Sequence, residues 1–374
     1  MVLRASRPKA IGIACCAAMT IGALVPARCG WTQPPGGIAS VSPEATAHWK
    51  EVPGGPGTAC AHGGPFSFFV LEGDPKRLLV CFQGGGACWN YKTCVQHPTY
   101  AAEVDSTDNP SRLGGIFDLE DPENPFRGWT YLFVPYCTGD VHLGDRDVTF
   151  APDSAGAAEE PAVIHYHGNP NARAALEWAF QSVIRPDVVF VTGQSGGAIP
   201  SPYYAGVIAQ HYRHARVAQV GDGAGSYRFK DLPQKLAVTG AVDRIRQDNG
   251  YQDLDSTSMT FEALYTHAAR TASRVHFGQI NSDQDSIQVR FLKLNGIKNP
   301  DLPALLGENL AEIRSRVSSF HSYTAPGAMH TFTIAKRFYT TRVDGVRMRD
   351  WVAALAAGKP VKNVGDELLP RNRP

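Results

Sequence analysis

The sequence predicts an α/β fold, a single domain built on one mostly parallel sheet with helices packed around it. Three observations carry this. Apolar strand-like runs alternate with helical patterns from about residue 66 to residue 323, the order that βαβ units produce. One run, residues 188–191, is continuously apolar, as a strand buried on both faces must be. It leads into Gly193-Gln194-Ser195-Gly196-Gly197, a glycine-flanked serine ahead of a helical segment.

Taken in order, residues 66–71 and 78–82 read as strands joined by the turn signal Gly73-Asp74-Pro75. Residues 129–134 form another aromatic and β-branched run. Leu176, Ala179, Phe180 and Val183 fall at i, i+3, i+4 and i+7, so residues 171–184 predict an amphipathic helix. After the 188–191 strand come a helix over 198–212, a strand over 216–220, a helix over 261–272 and a strand over 275–280. A helix over 303–317 and a strand near 320–323 complete the alternation. Pro200 and Pro202 predict a delayed or kinked start to the helix after Ser195. The long loop-rich stretch 89–128 is expected to overhang the site.

The 374 residues are 43% hydrophobic and 19% charged, which excludes a mostly disordered or fibrous chain. A net charge of +1 gives no pull toward nucleic acid or acidic membranes. The first 27 residues read as a signal peptide. Arg4, Arg7 and Lys9 precede an apolar stretch over 10–25, and Val25-Pro26-Ala27 offers small residues for cleavage. An uncleaved anchor is the alternative. Residues 28–54 are expected to be a flexible lead-in, with Gly- and Pro-rich sequence continuing to residue 65, and residues 55–374 the catalytic domain. The expected location is secreted or periplasmic, with no stable membrane insertion once the leader is removed.

Cysteine usage agrees with export. Beyond the leader stand Cys29, Cys60, Cys81, Cys88, Cys94 and Cys137, an even set expected to pair in an oxidising compartment. Cys88 and Cys94 are close in sequence and flank a loop, so they are expected to bond. The connectivity of the other four is open.

Gly193–Gly197 matches G-x-S-x-G in the context the motif requires. The turn exposes the Ser195 hydroxyl at the carboxyl edge of a sheet, above a helix start that offers N–H groups to a developing oxyanion. A second glycine cluster, Gly84-Gly85-Gly86, follows the 78–82 strand. With no Lys-Ser/Thr after it and no GxGxxG spacing, it fits an oxyanion loop better than a phosphate cradle. An acid and then a histidine must follow the serine. Asp222, Asp283 and Asp285 lie at strand ends. Asp283 and Asp285 suit the usual placement, and Asp222 reads as a turn cap. His330 lies in a loop after the last long strand. His165 with His167, and Asp140 with His142 and Asp145, are candidate metal ligands that lack a third His or Cys at ligand spacing. No metal is expected.

Several of these motifs in register resemble the pectinacetylesterase/Notum family over roughly residues 55–335. They are Gly84-Gly85-Gly86-Ala87-Cys88-Trp89-Asn90 with Thr93-Cys94, residues 134–140, the Ser195 turn, Asp285-Ser286-Ile287-Gln288 and Gly327-Ala328-Met329-His330. The resemblance implies a secreted α/β-hydrolase-like carboxylesterase without a cofactor. It implies Ser195 as nucleophile, Asp285 as acid, His330 as base, and Gly85, Gly86 and Gly196 as the oxyanion hole. Plant members deacetylate pectin, and an animal branch removes a lipid acyl group from a secreted signalling protein. The chain departs from the family at Gly86-Ala87, where an aromatic is frequent, and at Gly196, where alanine is common. The expected partner is an ester substrate, favoured as an O-acetylated polysaccharide. The alternatives are a lipid-ester or polyester hydrolase, or a non-catalytic carbohydrate-binding protein on the same scaffold.

Overall fold

A computed structural model describes residues 48–152, 160–257 and 259–370. The leader, Cys15, Cys16 and Cys29 lie outside the described residues. The main sheet has eight strands. They are β1 (Lys50–Pro53), β2 (Ser67–Leu71), β3 (Asp74–Phe82), β4 (Trp129–Val134), β7 (Val188–Gln194), β8 (Arg216–Asp222), β9 (His276–Ser282) and β10 (Phe320–Ala325). A separate hairpin is made of β5 (Arg146–Phe150) and β6 (Ala162–Tyr166). The spatial order is β1-β2-β4-β3-β7-β8-β9-β10. The six strands from β4 to β10 run parallel, and β2 is antiparallel to both β1 and β4.

Alternation along β3 explains why the sheet is covered twice. Leu78, Val80 and Phe82 face one apolar core, while Leu79 and Cys81 face another, and all five are fully buried. The first core is closed by α1 (Gly168–Ser182), α2 (Ser201–His211), the short α3 (Leu232–Val238) and α4 (Ala241–Ile245), α5 (Phe261–Thr271), α6 (Ser286–Leu294) and α7 (Leu302–Arg316). Along α7, Leu302, Leu306, Leu310 and Ile313 are buried at near-helical spacing, and the Asp301 side chain caps its start by accepting from Ala304 N. The second core lies under α8 (Arg337–Thr340) and α9 (Met348–Ala356), where Met348, Trp351, Val352 and Leu355 form one apolar stripe.

One expectation needs correcting, and one strand order could not be read locally. The 66–71 and 78–82 strands form as expected and share the turn at Gly73, but β4 lies between them in the sheet. The Gly- and Pro-rich lead-in is also more ordered than its composition indicates. Residues 50–53 add an edge strand, Trp49 packs edge-on against Tyr131, and Cys60 and Ala61 are fully buried. The helix after Ser195 does start late. A 3₁₀ turn over Ser195–Gly197 precedes it, and Pro202 occupies its first turn, where a missing N–H costs nothing.

Candidate active site

β3, β7, β8, β9 and β10 all end at the same carboxyl edge of the sheet, and the candidate residues lie just beyond them. Ser195 directly follows β7 with φ +53°, a left-handed conformation that a residue with a side chain adopts only under constraint. Its surroundings supply the constraint. A Cβ on Gly84 would lie 2.8 Å from the Ser195 Cβ, so the glycine loop presses directly on the serine turn.

That loop is held from several sides. The Gln83 side chain donates to Asp108 and accepts from Tyr136 N, and His142 Nε2 lies 2.8 Å from the Gln83 carbonyl. Burial pushes the His142 pKa down to about 4, so its neutral ring can donate Nε2–H to that carbonyl. Gly86 has φ +87°, and a Cβ there would meet the Thr99 carbonyl at 1.9 Å, so only glycine fits. A bridge to Tyr100 is closed by Ala87 N–H to Thr99 and Ala101 N–H to Gly85 C=O, which leaves the Gly85 and Gly86 N–H groups out of it. A Cβ on Gly196 would lie 3.8 Å from the nitrogens of both Gly85 and Gly86, so the three residues converge. The same Cβ would stand 3.0 Å from the Gly86 carbonyl, so alanine at 196 would need that carbonyl to shift slightly.

His330 Nδ1 donates to Asp285, at 2.8 Å from Oδ2 and 3.0 Å from Oδ1. A carboxylate can only accept, which fixes the proton on Nδ1. Asp285 is fully buried and caps α6, accepting from Ile287 N and Gln288 N, while the Gln288 side chain donates to Oδ2. The other ring nitrogen, Nε2, is buried and has no hydrogen-bond partner among the described residues. His330 and Ser195 line one cleft of about 1130 Å³ with the glycine loop, Thr99, Tyr100 and Arg290. A second, apolar pocket also reaches Ser195, lined by Ile199, Tyr227, Phe229, Leu236, Phe261 and Phe291.

The other two aspartates do different work. Asp283 accepts from Gly327 N at 2.7 Å and braces the turn leading to His330. Asp222 Oδ2 accepts from Phe332 N, Thr333 N and the Thr333 hydroxyl, holding the chain just after His330. Gln194 donates to the same hydroxyl, so Thr333 ties the serine strand to the histidine loop. No motif signals Thr333 or Gln194, because both act through contacts between residues about 140 positions apart. Burial pushes Asp222 up to about 6 against these hydrogen bonds. A pKa raised in the folded state adds stability below the ordinary value, and that stability is lost as pH climbs through about 6. The stability of Asp222→Asn relative to wild type should therefore improve by about 2 kcal/mol between pH 4 and pH 7. Urea titrations at each pH measure this, and a constant difference would show that the site ionises normally.

The Cys88–Cys94 disulfide is formed, and Cys60 bonds to Cys137. Cys81 is the exception to the even pairing expected. It lies inside β3 among core side chains, where burial pushes its thiol up to about 12, and no second sulfur reaches it among the described residues. The bridges span 6 and 77 positions. Removing them by Cys→Ser pairs should cost about 2 and about 4 kcal/mol respectively, by loop entropy. Chemical denaturation of the two double variants tests the ranking. Asp140, His142 and Asp145 do not gather around a metal position. Asp140 instead accepts from Thr138, His142 N and Gly168 N, bracing the pocket wall and the start of α1.

A strand–turn–helix elbow at the carboxyl edge of six parallel strands defines the molecule as α/β-hydrolase-like. The family model described as Pectinacetylesterase matches residues 51–252, more than half of the chain, so this chain belongs to the pectinacetylesterase family and is a carboxylic ester hydrolase. The matched segment includes the glycine loop and Ser195 and ends before Asp285 and His330. A search of the curated proteins finds no match. Among the described residues no helix is long and apolar enough to cross a membrane.

Proposed function

We infer that the protein is an exported serine carboxylesterase working through Ser195, His330 and Asp285. The observation that carries this reading is the Asp285–His330 pair, whose free Nε2 lines the same cleft as the constrained Ser195. His330 Nε2 takes the Ser195 proton as the hydroxyl oxygen attacks the ester carbonyl. The oxyanion is stabilised by the N–H groups of Gly85, Gly86 and Gly196. Collapse breaks the bond to the alcohol oxygen, which receives the proton from His330. Water, deprotonated by His330, then releases the acid and restores Ser195. A serine-directed phosphonate tests the reading. Adduct mass on the Ser195 peptide is the expected result, and an unlabelled protein would favour a carbohydrate-binding role on the same scaffold.

For the substrate, the family favours an O-acetyl ester of a polysaccharide, with the sugar in the wider cleft over Tyr100 and Arg290. The apolar pocket supports a second reading, a longer acyl chain from a lipid ester or polyester, because Ile199, Tyr227, Phe229, Leu236, Phe261 and Phe291 present it an apolar wall. Rates on p-nitrophenyl esters from C2 to C16, beside an acetylated polysaccharide, separate the two. Activity confined to C2 and the polysaccharide supports deacetylation, whereas a longer-chain optimum assigns the pocket to an aliphatic chain. The two disulfides support export to an oxidising compartment.

A further inference from the structure

The β5–β6 hairpin carries a group of side chains that the ester chemistry does not use. Asp147 and His165 are direct cross-strand partners in its register, and His167 follows two residues on, so all three point to one face. His165 Nδ1 and His167 Nε2 approach the same oxygen, Asp147 Oδ1, at 2.8 and 2.9 Å. Their rings stand nearly perpendicular, at 85°, with centroids 5.7 Å apart. The three ligand atoms lie within 4.8 Å of one another. None of the three residues lines either cavity at Ser195.

We propose that Asp147, His165 and His167 form a binding site for a divalent transition-metal ion, with Zn²⁺ the best-suited probe. Two imidazoles and one carboxylate are the donor set that such ions prefer and that Mg²⁺ and Ca²⁺ do not. The ion takes the place of the two N–H protons now directed at Oδ1. Each ring carries its remaining proton on its other nitrogen, and the carboxylate supplies the charge. His167 Nδ1 is buried without a partner, so receiving that proton breaks no hydrogen bond there. The half-exposed Asp147 leaves the fourth coordination position to solvent.

The site is anchored rather than loose. His165 N donates to Ala61 C=O, and Ala61 N donates to Cys137 C=O, beside the Cys60–Cys137 bridge. His167 directly precedes Gly168, whose N–H is held by Asp140 at the start of α1. Between the two histidines, the Tyr166 hydroxyl reaches the Cys88 carbonyl and the sulfurs of the Cys88–Cys94 bridge. An ion there would pin β5 to β6, in a hairpin that Tyr166 and Ala61 already tie to the disulfide-braced wall behind the glycine loop. Its role is structural, since no substrate cavity reaches it.

The test uses the full-length protein stripped with EDTA and titrated with ZnCl₂ by calorimetry, with Co²⁺ absorbance as a second readout. One equivalent should bind, with visible d–d bands for Co²⁺, and saturating Zn²⁺ should raise Tm by about 2–4 °C. MgCl₂ should do neither. Asp147→Asn, nearly isosteric, and His165→Ala should each weaken Zn²⁺ binding at least tenfold while metal-free Tm and esterase rate stay near wild type. If His165→Ala does not fold, Asp147→Asn decides alone. No Zn²⁺ uptake, equal binding of Mg²⁺, or unchanged affinity in a folded Asp147→Asn variant would each overturn the proposal and leave an adventitious ion only.

Discussion

Ser195→Ala should lower kcat on any ester substrate by a factor on the order of 10⁴ to 10⁶. Every other element of the reaction would remain in place. The glycine N–H groups and the Asp285–His330 pair belong to other residues, and Ser195 is one of many residues lining each cavity, so substrate should still bind with little change in KM. The fold is held here by backbone contacts such as Ala198 N–H to Ser195 C=O, so removing the Ser195 hydroxyl should barely alter stability. Steady-state kinetics, with phosphonate labelling as a parallel readout, checks both halves. A variant that retains a tenth of wild-type kcat would mean that the nucleophile is elsewhere or that hydrolysis is metal-assisted. The left-handed backbone at 195 should persist, since the flanking contacts impose it rather than the hydroxyl.

The second large effect concerns the acid. Asp285→Asn should reduce kcat by a factor on the order of 10⁴, because the amide no longer fixes the His330 tautomer or stabilises the imidazolium. Folding should survive, as asparagine caps a helix about as well as aspartate and α6 begins at this residue. Asp283→Asn should cost far less. Its Oδ1 accepts from Gly327 N, and an asparagine carbonyl can do the same. The paired variants are informative because the two residues are only two positions apart. If Asp283→Asn proves the damaging change, the assignment is reversed. If both are benign, Asp222 becomes the candidate acid, although its hydrogen bonds go to Phe332, Thr333 and the Thr333 hydroxyl rather than to the imidazole.

Much of this was legible in the sequence, and the reasons are physical. Strands buried on both faces are continuously apolar, so β7 and the inner half of β3 stand out without any knowledge of their neighbours. The serine turn and the glycine loop announce themselves because close backbone approach tolerates only small residues. What stayed hidden is what depends on distant contacts. Thr333 and Gln194 are unremarkable in sequence and meet only because β7 and the loop after His330 share the sheet's carboxyl edge. The β5–β6 hairpin went unread as such because Arg146-Asp147-Val148-Thr149-Phe150 is too polar and too short to signal a strand. β1 is masked by the glycines and prolines around it. α9 was recoverable, since Met348, Trp351, Val352 and Leu355 repeat at i, i+3, i+4 and i+7. Cys81 shows the limit of counting, because parity among cysteines cannot tell a core thiol from half of a bridge.

The placement of the two disulfides has a consequence for when the enzyme becomes active. Cys88–Cys94 sits just past the glycine loop, and Cys60–Cys137 holds the wall beside it, where Cys88 N donates to Gly139 C=O. The Asp285–His330 pair is assembled by hydrogen bonds alone. The two halves of the machinery therefore mature under different conditions. In a reducing cytoplasm the proposed base can already be set, while the glycine loop keeps its hydrogen bonds but lacks the two covalent braces behind it. On the proposed export route, a cell making this hydrolase should thus be shielded from it until the chain meets an oxidant, with transfer out of the cytoplasm acting as a safety catch.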